Sequence, residues 1–183
     1  NLGYCETITA TNPCGEQPLP SYGCCCLGSI NLTHFVRAPF EPQASFDEAG
    51  FAEVARTAVR MLDNVLDITV WPLPQQHEEA RNKRRVGLGF TGLGDALVML
   101  GLRYDTEAAR DMTQRISSAM RDVAYDASAD LATERGAFPL QFFLRPFQLR
   151  EFLLCLGDFG IHFLPGRRAK AVGRGGGGGR GDS

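Results

Sequence analysis

The sequence predicts an α/β chain, on three observations. Two β-favouring, extended runs lie near the start, Thr7–Thr11 and Cys24–Leu32. Long stretches with apolar residues at helical spacing follow, the first opening near Ser45 and the last closing at Gly136. Between the two extended runs lies a Pro- and Gly-rich loop, Ala10–Pro20, whose composition rules out a helix there.

That loop carries the candidate chemistry. Asn12, Cys14 and Glu16 stand at alternate positions. On an extended backbone, residues at i, i+2 and i+4 point the same way, so the three would converge. Together they offer a hydrogen-bonding amide, a sulfur centre and a general base. The set is poorly suited to a thiolate nucleophile. A thiol is activated by a cation, a His or a helix N-terminus, whereas Glu16 raises the thiol pKa and the nearest His in sequence is His34. A neutral thiol at Cys14 suits hydrogen-atom transfer: a thiyl radical abstracts hydrogen from carbon while Glu16 deprotonates a substrate hydroxyl and Asn12 holds another.

The elements after the loop follow in order. Prolines between Ala38 and Gln43 mark a connection. Ser45-Phe46-Asp47-Glu48 fits a capping box with Ser45 as N-cap and Glu48 at N3. The helix behind it has Phe51, Val54, Ala55, Ala58, Leu62, Val65 and Leu66 on one face and ends before Pro72. Pro72–Arg85 reads as a charged, exposed connection. Its basic run of Arg81, Lys83, Arg84 and Arg85 reads as a solvated face, with phosphate contact the alternative. Gly87-Leu88-Gly89-Phe90-Thr91-Gly92 matches a dinucleotide-binding fingerprint by letter, but no apolar strand precedes it and no βαβ unit follows. It is expected instead to be a packed segment entering a helix over 93–100, with Leu93, Ala96, Leu97 and Leu100 buried and Gly101 as its stop. Asp105 is the expected cap of the last helix, with Glu107 in its first turn. Its buried stripe is Ala109, Met112, Ile116, Met120, Val123, Ala127 and Leu131.

Composition narrows the function classes. The formal net charge of −2 is uneven: residues 1–140 carry −6 and residues 141–183 carry +4. The acidic main part argues against a nucleic-acid-binding surface. No apolar run is long enough to span a bilayer and no signal-peptide h-region is present, so a cytoplasmic location is expected. Of the six cysteines, three are consecutive, Cys24, Cys25 and Cys26, which is not an extracellular disulfide pattern. Their spacing also lacks the C-x₂-C of a zinc site, and no metal ligand set is expected. Cys24 and Cys26 read as buried small residues, Cys5 as a structural thiol, and His34 receives no role.

Asn12-Pro13-Cys14-Gly15-Glu16 resembles the active-site finger loop of ribonucleotide reductases. Leu27-Gly28-Ser29-Ile30-Asn31-Leu32 and the block from Arg84 to Leu97 are also similar to that family, most of all to its adenosylcobalamin-dependent branch, class II. The resemblance runs over about residues 1–140, with the blocks in family order. It implies part of a ten-stranded α/β barrel with a finger loop carrying the catalytic Cys. It implies reduction of ribonucleotides to 2′-deoxyribonucleotides for DNA synthesis, with adenosylcobalamin as the radical source. By the same resemblance the catalytic set is Asn12, Cys14, Glu16 and Cys25. Cys25 stands at the family's redox position, counted back from Asn31-Leu32, and would form a disulfide with a cysteine N-terminal to Asn1. A thioredoxin-like dithiol would restore that pair, and nucleotide effectors stay open. The chain opens on Asn1 rather than Met and reads as an internal fragment expected to be inactive alone. Residues 141–183 do not match the pattern; their end, Gly175–Gly179, reads as disordered. Two alternatives remain: another class of the same enzyme with a metal-radical partner subunit, and a non-enzymatic zinc- or dinucleotide-binding module.

Overall fold

The computed structural model describes residues 6–12, 15 and 17–139. Ten regular elements and one 3₁₀ helix lie among them: β1 (Ala10–Thr11), β2 (Pro18–Leu19), β3 (Cys26–Asn31), the 3₁₀ helix Leu32–Phe35, β4 (Val36–Arg37), β5 (Ser45–Phe46), α1 (Glu48–Ile68), α2 (Pro74–Lys83), β6 (Val86–Thr91), α3 (Leu93–Met99) and α4 (Glu107–Arg135). The strands pair as β1–β2 and β4–β5, both antiparallel, and β3–β6, parallel. The α/β class holds, while the described strands form three two-stranded sheets rather than a closed barrel.

The parallel pair organises the core. Its register runs from Cys26 opposite Val86 to Asn31 opposite Thr91. A parallel pair needs a crossover, and here α1 and α2 supply it. Alternate residues of β3 face α1: Ile30 is buried, and a Cβ added at Gly28 would lie 3.2 Å from Leu62 Cδ2. The other face keeps Leu27, Ser29 and Asn31 exposed. Helix α1 packs on this sheet and α4 packs on α1. Phe51, Ala55, Val59, Leu62 and Leu66 of α1 meet Ile116, Met120, Ala124 and Leu131 of α4 in one core. The predicted stripe on α4 is therefore largely the observed one. On α1 the stripe turns slightly, so that Val59 is buried and Val54 is exposed.

Four expectations need correction. The N-cap of α1 is Asp47, not Ser45: Asp47 Oδ1 accepts from Gly50 N at 3.1 Å, and Ser45 is spent in β5. The ring of Phe46 is thereby placed against Phe35 and Phe51, with centroids 6.2 and 5.5 Å away. The cap of α4 is Thr106 rather than Asp105, whose carboxylate is bonded to Arg103 instead. Residues 74–83 are a helix, α2, with Pro74 in its first turn. The glycine block is itself a strand: Gly87 and Gly89 pair with Leu27 and Ser29 in the ladder rather than opening a helix. That removes the geometry a dinucleotide fingerprint requires.

Gly92 is the junction between β6 and α3. Its φ of +71° is left-handed, and a Cβ there would lie 2.7 Å from Asn31 Oδ1. That oxygen already accepts from Thr33 N and Thr33 Oγ1 at 3.1 and 2.9 Å, holding the turn after β3. Gly94, inside α3, has nothing within 4 Å of an added Cβ. Gly92→Ala should cost about 1–3 kcal/mol or more from backbone strain and contact with Asn31, whereas Gly94→Ala should stabilise by about 0.4–1 kcal/mol. Denaturant midpoints of the two variants check both signs.

Candidate active site

The loop is a hairpin tip, not a continuous strand. The ladder pairs Ala10 with Leu19 and Thr11 with Pro18. Thr9 N donates to Leu19 O at 3.0 Å and Asn12 N to Gln17 O at 3.2 Å. Gly15, at φ +77°, donates its N–H to Asn12 O at 3.0 Å, closing a turn. Asn12 Oδ1 accepts from Gln17 N at 3.1 Å, so the amide clamps the two arms of the tip. Gln17 is 3% exposed, the buried foot of the loop. Asn12 is thus tied into the hairpin by both its main chain and its amide. Cys14 and Glu16 lie outside the described residues, as do Cys5 and Cys155.

Cys25 immediately precedes β3 and is half-buried, in register with Leu27 and Ser29 on the face away from α1. Cys24 and Cys26 are half-buried free thiols. Burial raises the Cys24 pKa; Arg85 works against this, and Glu79 and Cys26 add to it. Burial also raises that of Cys26. Both thiols are held in the neutral form. No group of three or more His, Cys, Asp or Glu side chains suited to a metal occurs among the described residues, which gives the zinc alternative no support there.

Of the basic run, Arg81 is exposed, but Lys83, Arg84 and Arg85 do not form a solvated face. Arg84 sits in the left-handed region at φ +46° as the C-cap of α2. Its Nε donates to Asp63 Oδ1 at 2.8 Å, Nη2 to Asp63 O at 2.9 Å and Nη1 to Asp67 Oδ1 at 2.7 Å. Lys83 and Arg85 are buried and meet the partly buried Glu6 and Glu79. Lys83 Nζ lies 2.8 Å from Glu6 Oε2 and 2.5 Å from Glu79 Oε2, and Arg85 bonds Glu6 Oε1. Two cations meet two carboxylates, so the cluster is neutral and closed. Sequence reasoning missed these residues because Glu6 is 77 positions from Lys83 and nothing local links them.

A cavity of about 300 Å³ lies between α1, α4 and residues 136–139, lined in part by Asp63, Asp67, Arg81, Arg84 and Arg135. It stands on the helical side, away from the exposed face of β3. Among the described residues no helix is long and apolar enough to cross a membrane.

A hairpin clamped by Asn12, followed along the chain by a parallel strand pair that begins at further cysteines, makes sulfur the candidate chemistry of this α/β protein. The family described as "Ribonucleotide reductase, barrel domain" matches residues 1–151, and the chain belongs to that family. It is 45% identical over 132 residues to a vitamin B12-dependent ribonucleoside-diphosphate reductase of Mycobacterium tuberculosis, covering 72% of this chain and 18% of the relative. The protein of the same name from Thermoplasma acidophilum is 40% identical over 132 residues, with 72% of this chain and 17% of the relative covered. A ribonucleoside-diphosphate reductase large subunit of African swine fever virus is 30% identical over 146 residues, covering 76% of this chain and 18% of that protein. The chain thus spans under a fifth of the length of these relatives.

Glu6 gives the cluster a pH signature. Burial alone would raise its carboxyl pKa, but the bonds to Arg85 and Lys83 outweigh burial and hold it below the ordinary 4.5. A depressed carboxylate stabilises fully above its unfolded pKa and loses that contribution as pH falls through the folded one. Stability measured by denaturant should therefore fall below about pH 4.5. Glu6→Gln should lower the neutral-pH plateau and make this acid limb shallower than in the parent.

Proposed function

We propose that the enzyme built on this segment reduces ribonucleoside diphosphates to 2′-deoxyribonucleotides by thiyl-radical chemistry. Asn12, Cys14, Glu16 and Cys25 carry the reaction. The observation that carries this reading is the hairpin tip clamped by Asn12 Oδ1 on Gln17 N, followed along the chain by a strand that begins immediately after Cys25. The substrate class is that printed in the names of the relatives at 45% and 40% identity.

The steps balance as follows. The Cys14 thiyl takes the 3′ hydrogen atom, forming S–H and leaving a carbon radical on the ribose. Glu16 accepts the 3′ hydroxyl proton while Asn12 hydrogen-bonds the ribose hydroxyls. The 2′ hydroxyl leaves as water, and the dithiol of Cys25 and a second cysteine supplies two electrons and two protons as it becomes a disulfide. Cys14 returns its hydrogen atom to C3′ and is again a thiyl, while Glu16 returns the proton to the 3′ oxygen and is again a carboxylate. A thioredoxin-like dithiol restores the Cys25 pair by exchange. Nucleotide effectors belong to the same proposal, as does the complete ten-stranded barrel with this hairpin as its finger loop.

Adenosylcobalamin is the proposed radical source, since the relatives at 45% and 40% are named for vitamin B12. It supplies, when bound, a radical by cobalt–carbon homolysis. Burial keeps the neighbouring Cys24 and Cys26 thiols neutral, and Lys83 and Arg85 near them are paired with carboxylates. The described residues do not fit a seat for the cofactor: the cavity of about 300 Å³, on the helical side of the sheet, is lined by the ion-paired Asp63, Asp67, Arg84 and Arg135 together with Val59, Leu131 and Phe138. No step above is therefore routed through it.

In a full-length reductase carrying this segment, turnover with a dithiol reductant should require adenosylcobalamin, and Cys14→Ser should abolish it with nucleotide binding nearly intact. Retained turnover in Cys14→Ser would remove that residue from the radical role. Turnover by enzyme shown to be free of cobalamin would move the radical source to a partner subunit.

A further inference from the structure

Four buried charges join the two segments on which the proposed chemistry depends. Glu6 lies four residues before β1, on the arm that enters the hairpin. Between Glu6 and the tip that arm is exposed: Ile8 is 63% accessible and Thr9, Ala10 and Thr11 are also exposed. The ladder joins the hairpin to itself, through Ala10–Leu19 and Thr11–Pro18. Glu6 is different, with its side chain 12% exposed between Lys83 at 7% and Arg85 at 5%. It is the described point at which this arm is gripped by the core.

Arg85 has a second contact. Its carbonyl oxygen accepts from Cys26 N at 3.1 Å, one residue after Cys25 and at the start of the β3–β6 ladder. The side chain of one residue thus holds the arm leading to Cys14, while its main chain holds the strand that follows Cys25. Glu79 of α2 completes the cluster from the helix before Arg85, 2.5 Å from Lys83 Nζ and 3.9 Å from Arg85 Nη1.

A closed, neutral set of buried charges is a poor source of net stability, because desolvation offsets most of the attraction. What it supplies is directional geometry: a carboxylate gripped by two cations has one seat. The set is also unavailable to substrate phosphate, since both cations are already matched by carboxylates.

We propose that Glu6, held by Arg85 and Lys83, is a positioning residue that sets the hairpin's Cys14 relative to Cys25. This rests on the roles given to those two cysteines above. The pairing touches no reacting atom. It acts by fixing where the hairpin stands, and a displacement of about 1 Å between reacting groups costs up to about a hundredfold in rate.

The test uses the full-length reductase carrying this segment, assayed with saturating dithiol well below each variant's Tm. Glu6→Gln should lower kcat by about tenfold or more while KM for the nucleotide stays within about twofold. Asp63→Asn, which breaks the partly buried Arg84 pairing on the helical side, is the control for general destabilisation. It should lower Tm to a similar degree and leave kcat at the parent value. Should Glu6→Gln fail to fold, Glu6→Asp keeps the charge but shortens the reach by one methylene, and should show the same kcat loss at smaller amplitude. A kcat within about twofold of the parent in the folded Glu6 variant, with Tm lowered as in Asp63→Asn, would overturn the positioning role. Cys14→Ser in the same background separates the two levels: if it turns over, the underlying reading fails, and if it is inactive while Glu6→Gln is normal, only the positioning role fails.

Discussion

The three residues Lys83, Arg84 and Arg85 are the junction on which the described structure depends. Helix α2 ends there and β6 begins one residue later. A left-handed backbone at a non-glycine residue costs roughly 1–3 kcal/mol, and Arg84 adopts one. It is held in place by three hydrogen bonds to α1, to both carboxylates and to the Asp63 carbonyl. The turn directs Arg84 toward α1 and Arg85 toward Glu6 and Glu79. Val86 then enters the ladder opposite Cys26, fixing the parallel register for six residue pairs.

That register gives the two sheet faces different work. The side carrying Cys26, Gly28 and Ile30 is used for packing, with Gly28 making room for Leu62. The other side carries Leu27, Ser29 and Asn31 and stays open. A one-residue slip would exchange these faces and bury the wrong set. The ion pairs that fix the start of β6 therefore also decide which cysteines face the core and which one joins the open side.

The electrostatics follow the same division. Every cation of the junction is matched by carboxylates, and burial raises the thiol pKa of Cys24, against the lowering by Arg85, and that of Cys26. Such an environment keeps Cys24 and Cys26 as neutral thiols and disfavours thiolate chemistry at them. Among the described residues of the hairpin, by contrast, Gln17 is the buried one. Segments of that kind sit at the low end of local stability, which is where mobile functional loops are drawn from.

The helical part of the fold was legible in the sequence because local rules govern it. The apolar stripe of α4 and the Gly92 entry to α3 follow from 3.6-residue spacing and glycine placement. So was the family, since the Asn12–Glu16 loop, the run ending at Asn31-Leu32 and the Arg84–Leu97 block are contiguous text. The cap of α1 was misplaced by two residues because Ser45 and Asp47 are both good caps, and pairing of Ser45 with Arg37 chose between them. The strand β6 could not be read from Gly87-Leu88-Gly89, which lacks β propensity and is a strand because β3 lies beside it. The seat of the basic run was hidden for the same reason. Only the folded chain brings Glu6, Asp63, Asp67 and Glu79 to Lys83, Arg84 and Arg85, and a charge far away in sequence leaves no local signal. Sequence by itself thus determined α1, α3, α4 and the kinship, all set by neighbours along the chain, while α2 left no periodic signal. Tertiary structure decided strand identity, the hairpin turn at Asn12 and the ion-pair junction, which depend on partners that meet only when distant segments pack together.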